Sequence, residues 1–532
     1  MKLTFSRFGK LGRLGNQLFQ LASMIGFSKK YDRPLIMPQW DVSNYLEPSH
    51  HFIYGIVNEV PLLIVDEPLN KFHYSPDFFD GIYSTNRTVD VKGWLQTEKY
   101  WLHCQDAVRT SLQFKKDVLD KVSNIYIKNK RTLAISVRVG DYFNNENYEW
   151  LSAEYFYLAL FEHFPNWQDY DILIFSDDIP YCKVHFTCLS NVTFVENLTP
   201  MEQLALGSLC DDFIISNSTF AWWLAYLGLK PDSKVIRPNY HFAGPLLKSS
   251  DWRDYYPDDN RYIVFDHKNN GELKKLDLQD VTFVIPVHYD HDDRYNNALV
   301  SISMLKKYFN TNIIIGEQGS DMFKNLATEL NVKYIKHTCT SFHRTQMLNE
   351  LTTIAQTPIV VNFDADVLIP PLQLYLAAMQ IRTGLSDFVY PYDGRFARVN
   401  RRQWFDTMYR YLDAGLFKNN SFSGTLPGDE PSQGGAVMYR KSTFLEAGGE
   451  NENFISYAPE DRERIWRFKK LGYNVNRIDG TLYHLDHFIG PNSSMQHQYS
   501  QANNLEYTKI QQMDIDELRR YISSWIWIKK YK

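Results

Sequence analysis

The sequence is short of cysteine. Only Cys104, Cys182, Cys188, Cys210 and Cys339 occur in 532 residues, and none share C-x-x-C spacing. That excludes a zinc ribbon or a disulfide framework. A basic excess is also missing: 57 Lys+Arg stand against 62 Asp+Glu, a formal charge of −5. No nucleic-acid partner is expected from that balance. No apolar run reaches the length of about 18 residues that a membrane-spanning helix needs. The opening stretch, MKLTFSRFGKLGRLGNQ, has no apolar h-region, so no signal peptide is expected. Without a secretory route, N-x-[ST] triplets such as Asn191-Val-Thr193 read as chance matches. No solenoid repeat is visible. These absences together predict a soluble protein of a reducing, cytoplasmic compartment.

What is present is an ordinary globular composition, 44% hydrophobic and 22% charged, which excludes bulk disorder. Aromatics reach 15%, enough for core packing and for faces that stack on sugars or bases. Short apolar runs alternate with amphipathic stretches of helical length. In the first half they are Leu133–Val137, Ile172–Phe175 and Phe213–Ile215. In the second half they are Val281–Val287, Ile313–Ile315 and Pro358–Phe363. This pattern predicts α/β architecture with parallel sheets. Between the halves, 251–260 and 266–271 are rich in turn formers and read as a linker, with a boundary near residue 270. The expected domains are 1–268 and 275–532. At the C-terminus, Asp514 and Glu517 have capping-box spacing. The Trp525/Trp527/Lys532 end suits either peripheral contact with a membrane surface or docking on its own domain, and docking is the expectation.

Three segments of the first half carry chemistry. Gly12-Arg-Leu-Gly-Asn-Gln17 is a glycine turn before a helix, expected over Leu18 to Phe27, whose N-terminus suits a phosphate. Ser136-Val-Arg-Val-Gly-Asp-Tyr142 places Arg138 at the C-terminal end of a strand, where α/β proteins bind ligands. A guanidinium there gives bidentate bonds to phosphate; alternatively it pairs with Asp141 around the turn. Ser216-Asn217-Ser218-Thr219 follows another strand and gathers hydroxyls and an amide at one turn, ahead of Trp222 and Trp223. A capped helix start with two core tryptophans would account for only part of it.

With Gly93-Trp-Leu-Gln-Thr-Glu-Lys-Tyr100 and Phe175-Ser-Asp-Asp178, these segments in order resemble the α-1,2-fucosyltransferases of glycosyltransferase family 11. The resemblance covers about residues 1–265. It implies a GT-B fold of two Rossmann-like halves, GDP-fucose as donor, inversion at the anomeric carbon and no obligatory metal. It also implies that Gly12, Gly15, Asn16, Gln17, Arg138, Asp141, Ser216, Asn217, Ser218 and Thr219 surround the donor, with Arg138 on the leaving diphosphate. The sequence departs from the family's H-x-R-R-G-D-Y at Ser136 and Val139, and Arg13 stands where the family has a second glycine. No general base is identifiable in this half.

In the second half, Pro358–Phe363 runs straight into Asp364-Ala-Asp366. Two carboxylates at period 2 on an apolar strand end suit Mn²⁺ or Mg²⁺ bridging a diphosphate, because like charges there repel unless neutralised. Pro286 closes a first strand, with Asp290, Asp293 and Arg294 after it, over the position where doubly wound folds hold a nucleotide. Arg344 precedes the carboxylate strand. Gly434 and Gly435 precede another strand and let a substrate approach the backbone. Glu460 and Asp461 follow Pro459 at a helix start, which is also good helix-start chemistry. His484 and His487 are each candidates for a further metal ligand.

This ordered set, spanning about 280–490, resembles metal-dependent GT-A enzymes, nearest to family 2 and to the galactosyltransferase-type segment of family 7. The resemblance implies a UDP-sugar donor and inverting transfer of galactose or a related hexose. Asp461 would be the general base and Glu460 an acceptor contact. Asp364, Asp366 and His484 would hold the metal, and Pro286, Arg294, Arg344, Gly434 and Gly435 would line the donor site. The expected whole is a bifunctional glycosyltransferase acting on nucleotide sugars and a glycan acceptor. Its rivals are one live transferase beside a decayed glycan-binding domain, and a scaffold without catalysis.

Overall fold

The computed structural model describes the chain except residues 1, 59–61, 68–72, 76–81, 83–84, 127–129, 250–253, 257–259, 270, 339–340, 420–430, 491–493, 495 and 532, and the side chains of 401–404. Cys339 and Lys532 therefore lie outside the described residues. Two compact units form. One comprises Met1–Ile179 with Asn191–Asn269, the other Pro180–Ser190 with Asn270–Lys532. The chain thus enters the second unit twice, the first time through a short helical segment that no composition shift marks.

The first unit holds two all-parallel sheets. One runs Ile53–Tyr54, Leu35–Met37, Leu3–Thr4, Thr88–Lys92, Leu62–Asp66. The other runs Tyr262–Phe265, Val235–Pro238, Asp212–Ile215, Thr132–Val137, Asp171–Ser176, Val192–Phe194. The continuous burial of Thr132–Val137 and Asp212–Ile215 explains why these strands read as apolar runs rather than as alternation. Helix Leu14–Tyr31 starts four residues earlier than its apolar run suggests, directly after the turn at Gly12, which has φ +76°. It packs on helix Thr219–Gly228 through an aromatic cluster: the Phe19 ring lies 4.7 Å from Trp222 and 5.2 Å from Trp223. Both tryptophans are wholly buried, so they belong to the core.

The stretch read as a linker is part of this unit. Tyr255 and Tyr256 are buried in the same core, Lys99 pairs with Asp254, and Tyr262–Phe265 is the edge strand of the second sheet. Polar composition suggested a tether, but two tyrosines and one ion pair suffice to dock it. Its residues 251–253, 257–259 and 270 lie outside the described set.

The second unit has one seven-stranded mixed sheet: Lys333–His337, Phe309–Gln318, Leu276–His288, Ile359–Phe363, Ala436–Arg440, Phe388–Tyr390, Val475–Arg477. The first four strands are mutually parallel, and Ala436–Arg440 is antiparallel to both its neighbours. A small sheet of Val367–Leu368, Leu482–Leu485 and Phe396–Val399 carries the late histidine strand beside the carboxylates. The C-terminal helices dock as expected: Ile510, Leu518, Ile522, Trp525 and Ile528 form a buried cluster against Trp466 and Leu471. Asp514 and Glu517 form the reciprocal capping box. Among the described residues no helix is long and apolar enough to cross a membrane.

Candidate active sites

Each unit has a cavity at the C-terminal ends of its strands, the position that parallel α/β topology favours for ligands. In the first unit it measures ≈ 640 Å³ and lies where loops of both sheets meet. Gly12, Gly15, Asn16, Arg138, Asp141, Ser216, Ser218 and Thr219 all line it. Gly15 is required by close approach: a Cβ there would sit 2.6 Å from the Phe220 amide nitrogen and 2.6 Å from Thr219 Oγ1. That contact brings the first glycine turn against the hydroxyl-rich turn. Ser218 caps the helix it precedes, accepting from the Phe220 N–H. Gln96 Nε2 donates to Asn16 Oδ1 at 2.8 Å and ties the Gly93–Tyr100 segment to the same wall.

Two residues expected at the donor do not line the cavity. Gln17 Nε2 donates to the Gly12 carbonyl, and its Oε1 accepts from Trp40 Nε1, so this side chain braces the turn away from the cavity. Asn217 is buried and donates to the Glu149 and His241 carbonyls, fixing loops behind the site. Both were grouped with the ligand by motif continuity; neighbours in sequence on such turns face opposite ways.

Arg138 is held by acids on two sides. It bonds Asp141, and its Nη1 lies 3.1 Å from Asp177 Oδ2. Asp177 Oδ1 also accepts from the Val139 N–H at 2.9 Å. The surface-pair reading of Arg138 thus holds in part, but the guanidinium is mostly buried and lines the cavity. Arg13 approaches Asp141 at 3.5 Å from the exposed rim. Several buried polar atoms here have no protein partner: Arg138 Nε, Ser216 Oγ and His241 Nδ1. These groups are available to a polar ligand or to water. His241 was missed by sequence reasoning. Its ring lies 3.9 Å from that of Tyr255, tilted by 33°, and burial drives its imidazole down to about 3, so it is neutral at physiological pH. Its place just past strand Val235–Pro238 was the available signal. Asp177 lies in the Phe175–Asp178 segment, whose sequence alone assigns it no role.

The second unit's cavity, ≈ 400 Å³, gathers every residue expected there: Pro286, Arg294, Arg344, Asp364, Asp366, Gly434, Gly435, Glu460, Asp461 and His484. The two strand-end carboxylates diverge. Asp364 Oδ1 bonds Arg344 Nη2 at 2.7 Å, whereas Asp366 Oδ2 bonds Arg294 Nη1 at 2.9 Å. Asp366 also faces both histidines, at 3.7 Å from His484 Nε2 and 3.3 Å from His487 Nε2. One ligand atom each from Asp366, His484 and His487 fall within 4.8 Å of one another. Both histidines thus reach Asp366, and Asp364 stands outside this cluster. Burial opposes ionisation of Asp366, but His484, Arg294 and His487 outweigh it and hold its carboxyl below the usual range. Burial lowers His484 despite Asp366. An ionised carboxylate with a neutral imidazole is what a cation requires of its ligands. Two nitrogens in the set suit Mn²⁺ better than Mg²⁺, which prefers oxygen alone.

Arg344 also reaches Glu460 at 3.1 Å and Asp461 at 3.5 Å, so one guanidinium faces three acids. Burial, then the adjacent Asp461 charge, push the Glu460 carboxyl up. Burial works the same way on Asp461, but Arg344 and Arg464 overcome it and hold its carboxyl below the usual range. The two acids open helix Glu460–Lys470, so the helix-start role and a site role coexist in one place. Arg398, Phe396 and Tyr457 complete the wall and had no sequence signal strong enough to single them out.

Residues 7–253 match the family model described as Glycosyl transferase family 11. The chain is 25% identical over 278 residues to an Alpha-1,2-colitosyltransferase of Escherichia coli, covering 45% of this chain and 93% of that protein. It is 28% identical over 155 residues to the O-antigen biosynthesis glycosyltransferase WbnK of Escherichia coli, covering 26% of this chain and 51% of the relative. Among solved structures it resembles the catalytic domain of Drosophila beta1,4galactosyltransferase 7, at 14% identity over 37% of this chain and 64% of that one, TM-score 0.24. It also resembles glucosyl-3-phosphoglycerate synthase from Mycobacterium tuberculosis, solved with Mn2+ and uridine-diphosphate, at 15% identity over 43% and 78%, TM-score 0.28.

Proposed function

We propose that the chain is a bifunctional glycosyltransferase: a GT-B-type fucosyltransferase in the first unit and a metal-dependent GT-A-type hexosyltransferase in the second. The observation that carries this reading is that two cavities, one in each unit, present different ways of meeting a diphosphate. The first offers Arg138 beside a helix N-terminus. The second offers Asp366, His484 and His487.

In the first unit, a 6-deoxyhexose donor with a guanosine diphosphate leaving group lies over the Gly12 turn. Arg138 balances the charge that develops on the departing phosphate, the step where preorganised donors contribute most. Asp141 and Asp177 keep the guanidinium aimed. Ser216 and Ser218 offer hydroxyls to the same anion. The matched relative named a colitosyltransferase keeps colitose open as the donor sugar.

In the second unit, Asp366, His484 and His487 would hold Mn²⁺, which when bound neutralises the leaving diphosphate of a UDP-sugar. Asp461 accepts the proton of the attacking acceptor hydroxyl as the hexose arrives, a single displacement with inversion. Glu460, whose carboxyl burial pushes up, contacts the acceptor. Arg294 and Arg344 hold the acids apart until the nucleotide enters. Tethering the two reactions raises the local concentration of a shared acceptor, so consecutive steps on one glycan follow naturally.

The test is a donor panel on the full chain, with and without chelator. Release of nucleoside diphosphate is expected from GDP-fucose or a colitose donor regardless of chelator, and from UDP-galactose or another UDP-hexose only with Mn²⁺. Turnover of one class alone would leave one live transferase beside a binding domain. Turnover of neither, with binding of both, would make the chain a scaffold.

A further inference from the structure

The cavity of the second unit rests on a buried polar chain that neither the motifs nor the reaction accounts for. Arg464, one helical turn beyond Asp461, is 1% exposed, and Glu450 is fully buried. Arg464 Nη1 bonds Glu450 Oε1 at 2.6 Å, and its Nη2 bonds Asp461 Oδ1 at 2.5 Å. Glu450 Oε1 also accepts from Asn362 Nδ2 at 2.7 Å, and Asn362 Oδ1 accepts from the Tyr439 hydroxyl at 2.6 Å. Tyr439 in turn meets Thr352 Oγ1 at 2.8 Å. Asn362 sits on central strand Ile359–Phe363, and Tyr439 on its neighbour Ala436–Arg440. A line of bonds therefore runs from the rigid middle of the sheet to one oxygen of Asp461.

The other oxygen is left for the cavity. A Cβ built on Gly434 would lie 2.9 Å from Asp461 Oδ2, so this oxygen points at the glycine wall where a substrate can come close. The carboxylate is thereby divided: Oδ1 is held by Arg464 and Arg344, while Oδ2 is free to take a proton. A surface i,i+3 pair would contribute little. Burying Arg464 and Glu450 is expensive, and replacing such a pair by apolar residues is often neutral or stabilising. Stability alone does not explain the arrangement.

We infer that Arg464, anchored by Glu450, is a positioning residue that fixes the rotation of the Asp461 carboxylate and so presents Oδ2 to the acceptor hydroxyl. This rests on the reading of Asp461 as the base. Charged and titratable groups facing Asp461 are Arg344 from helix Arg344–Ile354, Arg464 and Glu460 on its own helix, Asp364 after the central strand, Tyr390 from strand Phe388–Tyr390, and Tyr392 just past that strand.

The experiment uses the full chain carrying Arg464→Met with Glu450→Gln, which removes both buried charges together. Mn²⁺-dependent hydrolysis of UDP-galactose is the assay, and a crystal structure of the variant accompanies it. Expected are UDP binding within about twofold of the parent and kcat lower by roughly 10- to 10²-fold, the usual effect of a small misplacement. The acid limb of kcat should move to higher pH, and Asp461 should be rotated away from Gly434. A folded double variant with parental kcat, parental acid limb and unmoved Asp461 overturns the inference. Should it fail to fold, Arg464→Lys keeps a cation on Glu450 but loses the planar fork whose second nitrogen reaches Asp461; the same fall in kcat is expected, and parental turnover overturns the inference. Asp461→Asn, assayed alongside, separates the two claims. If it is as active as the parent, the base assignment falls, and the crystal structure still decides whether Arg464 sets the carboxylate.

Discussion

The two cavities differ in where their charge is kept. In the first, a single mostly buried guanidinium, Arg138, is flanked by two acids of which Asp141 is half exposed. In the second, Asp364, Asp366, Glu460 and Asp461 are clamped by Arg294, Arg344 and Arg464. The first can meet an anionic ligand by exchanging Asp141 for phosphate, a local change at the rim. The second is balanced internally, so a nucleotide must arrive with compensating charge or displace Arg344. The proposed cation dependence fits a site of the second kind, and its histidines follow the same logic. His484 and His487 face a carboxylate, whereas His241 in the first cavity faces aromatic rings. Similar strand-end positions thus carry opposite electrostatics because of what the neighbouring loops supply.

The comparison is broken most directly at the base. Asp461→Asn should lower UDP-hexose turnover by about 10²–10⁴-fold while leaving GDP-linked turnover unchanged, since a positioned base contributes that much. Loss of both, in a folded chain, would merge the two sites. Arg138→Ala is the mirror experiment: GDP-linked turnover should fall roughly 10²–10³-fold, in the range seen for lost anion donors, with UDP-hexose turnover intact. Asp366→Asn should abolish stimulation by Mn²⁺ and weaken its binding, measured by calorimetry, by about 10- to 10²-fold.

Smaller effects sharpen it. Gly15→Ala should destabilise the first unit by about 1–3 kcal/mol, because its methyl meets the Phe220 and Thr219 backbone, which cannot swing away, as well as Thr219 Oγ1. Chemical denaturation followed by tryptophan fluorescence would read this. The gentlest test concerns His241. Its folded value, about 3, lies below the unfolded one, so between about pH 6.5 and 3 the unfolded chain binds the extra proton. The histidine's contribution to stability is complete above that window and declines as pH falls through it, by up to ~1.4 kcal/mol per pH unit. His241→Phe should flatten that slope in the first unit, and an unchanged slope would show that the ring is not held neutral.

The position of chemistry was legible in the residues. Asp364, Asp366, Glu460 and Asp461 stand at apolar strand ends or helix starts, and each is in the cavity. Arg138 and the Gly12 turn were found the same way. Period and punctuation reveal strand ends, and parallel topology makes strand ends into ligand positions. The polar stretch 251–260 misled because composition does not register two buried tyrosines, and Gln17 and Asn217 misled because a motif does not say which way each side chain points.

By itself, then, the sequence determined the alternation of strand and helix, the family likeness of the first half and the acids of the second, all of which depend on local order along the chain. Tertiary structure decided what depends on residues far apart. It turned Gly15 against Thr219, joined Asp366 to His484 and His487 across more than a hundred residues, and tied Arg464, through Glu450, to Asn362 on the central strand. Hydrogen bonds and ion pairs are effective only within a few ångströms, and which groups come that close is settled by packing of the sheets.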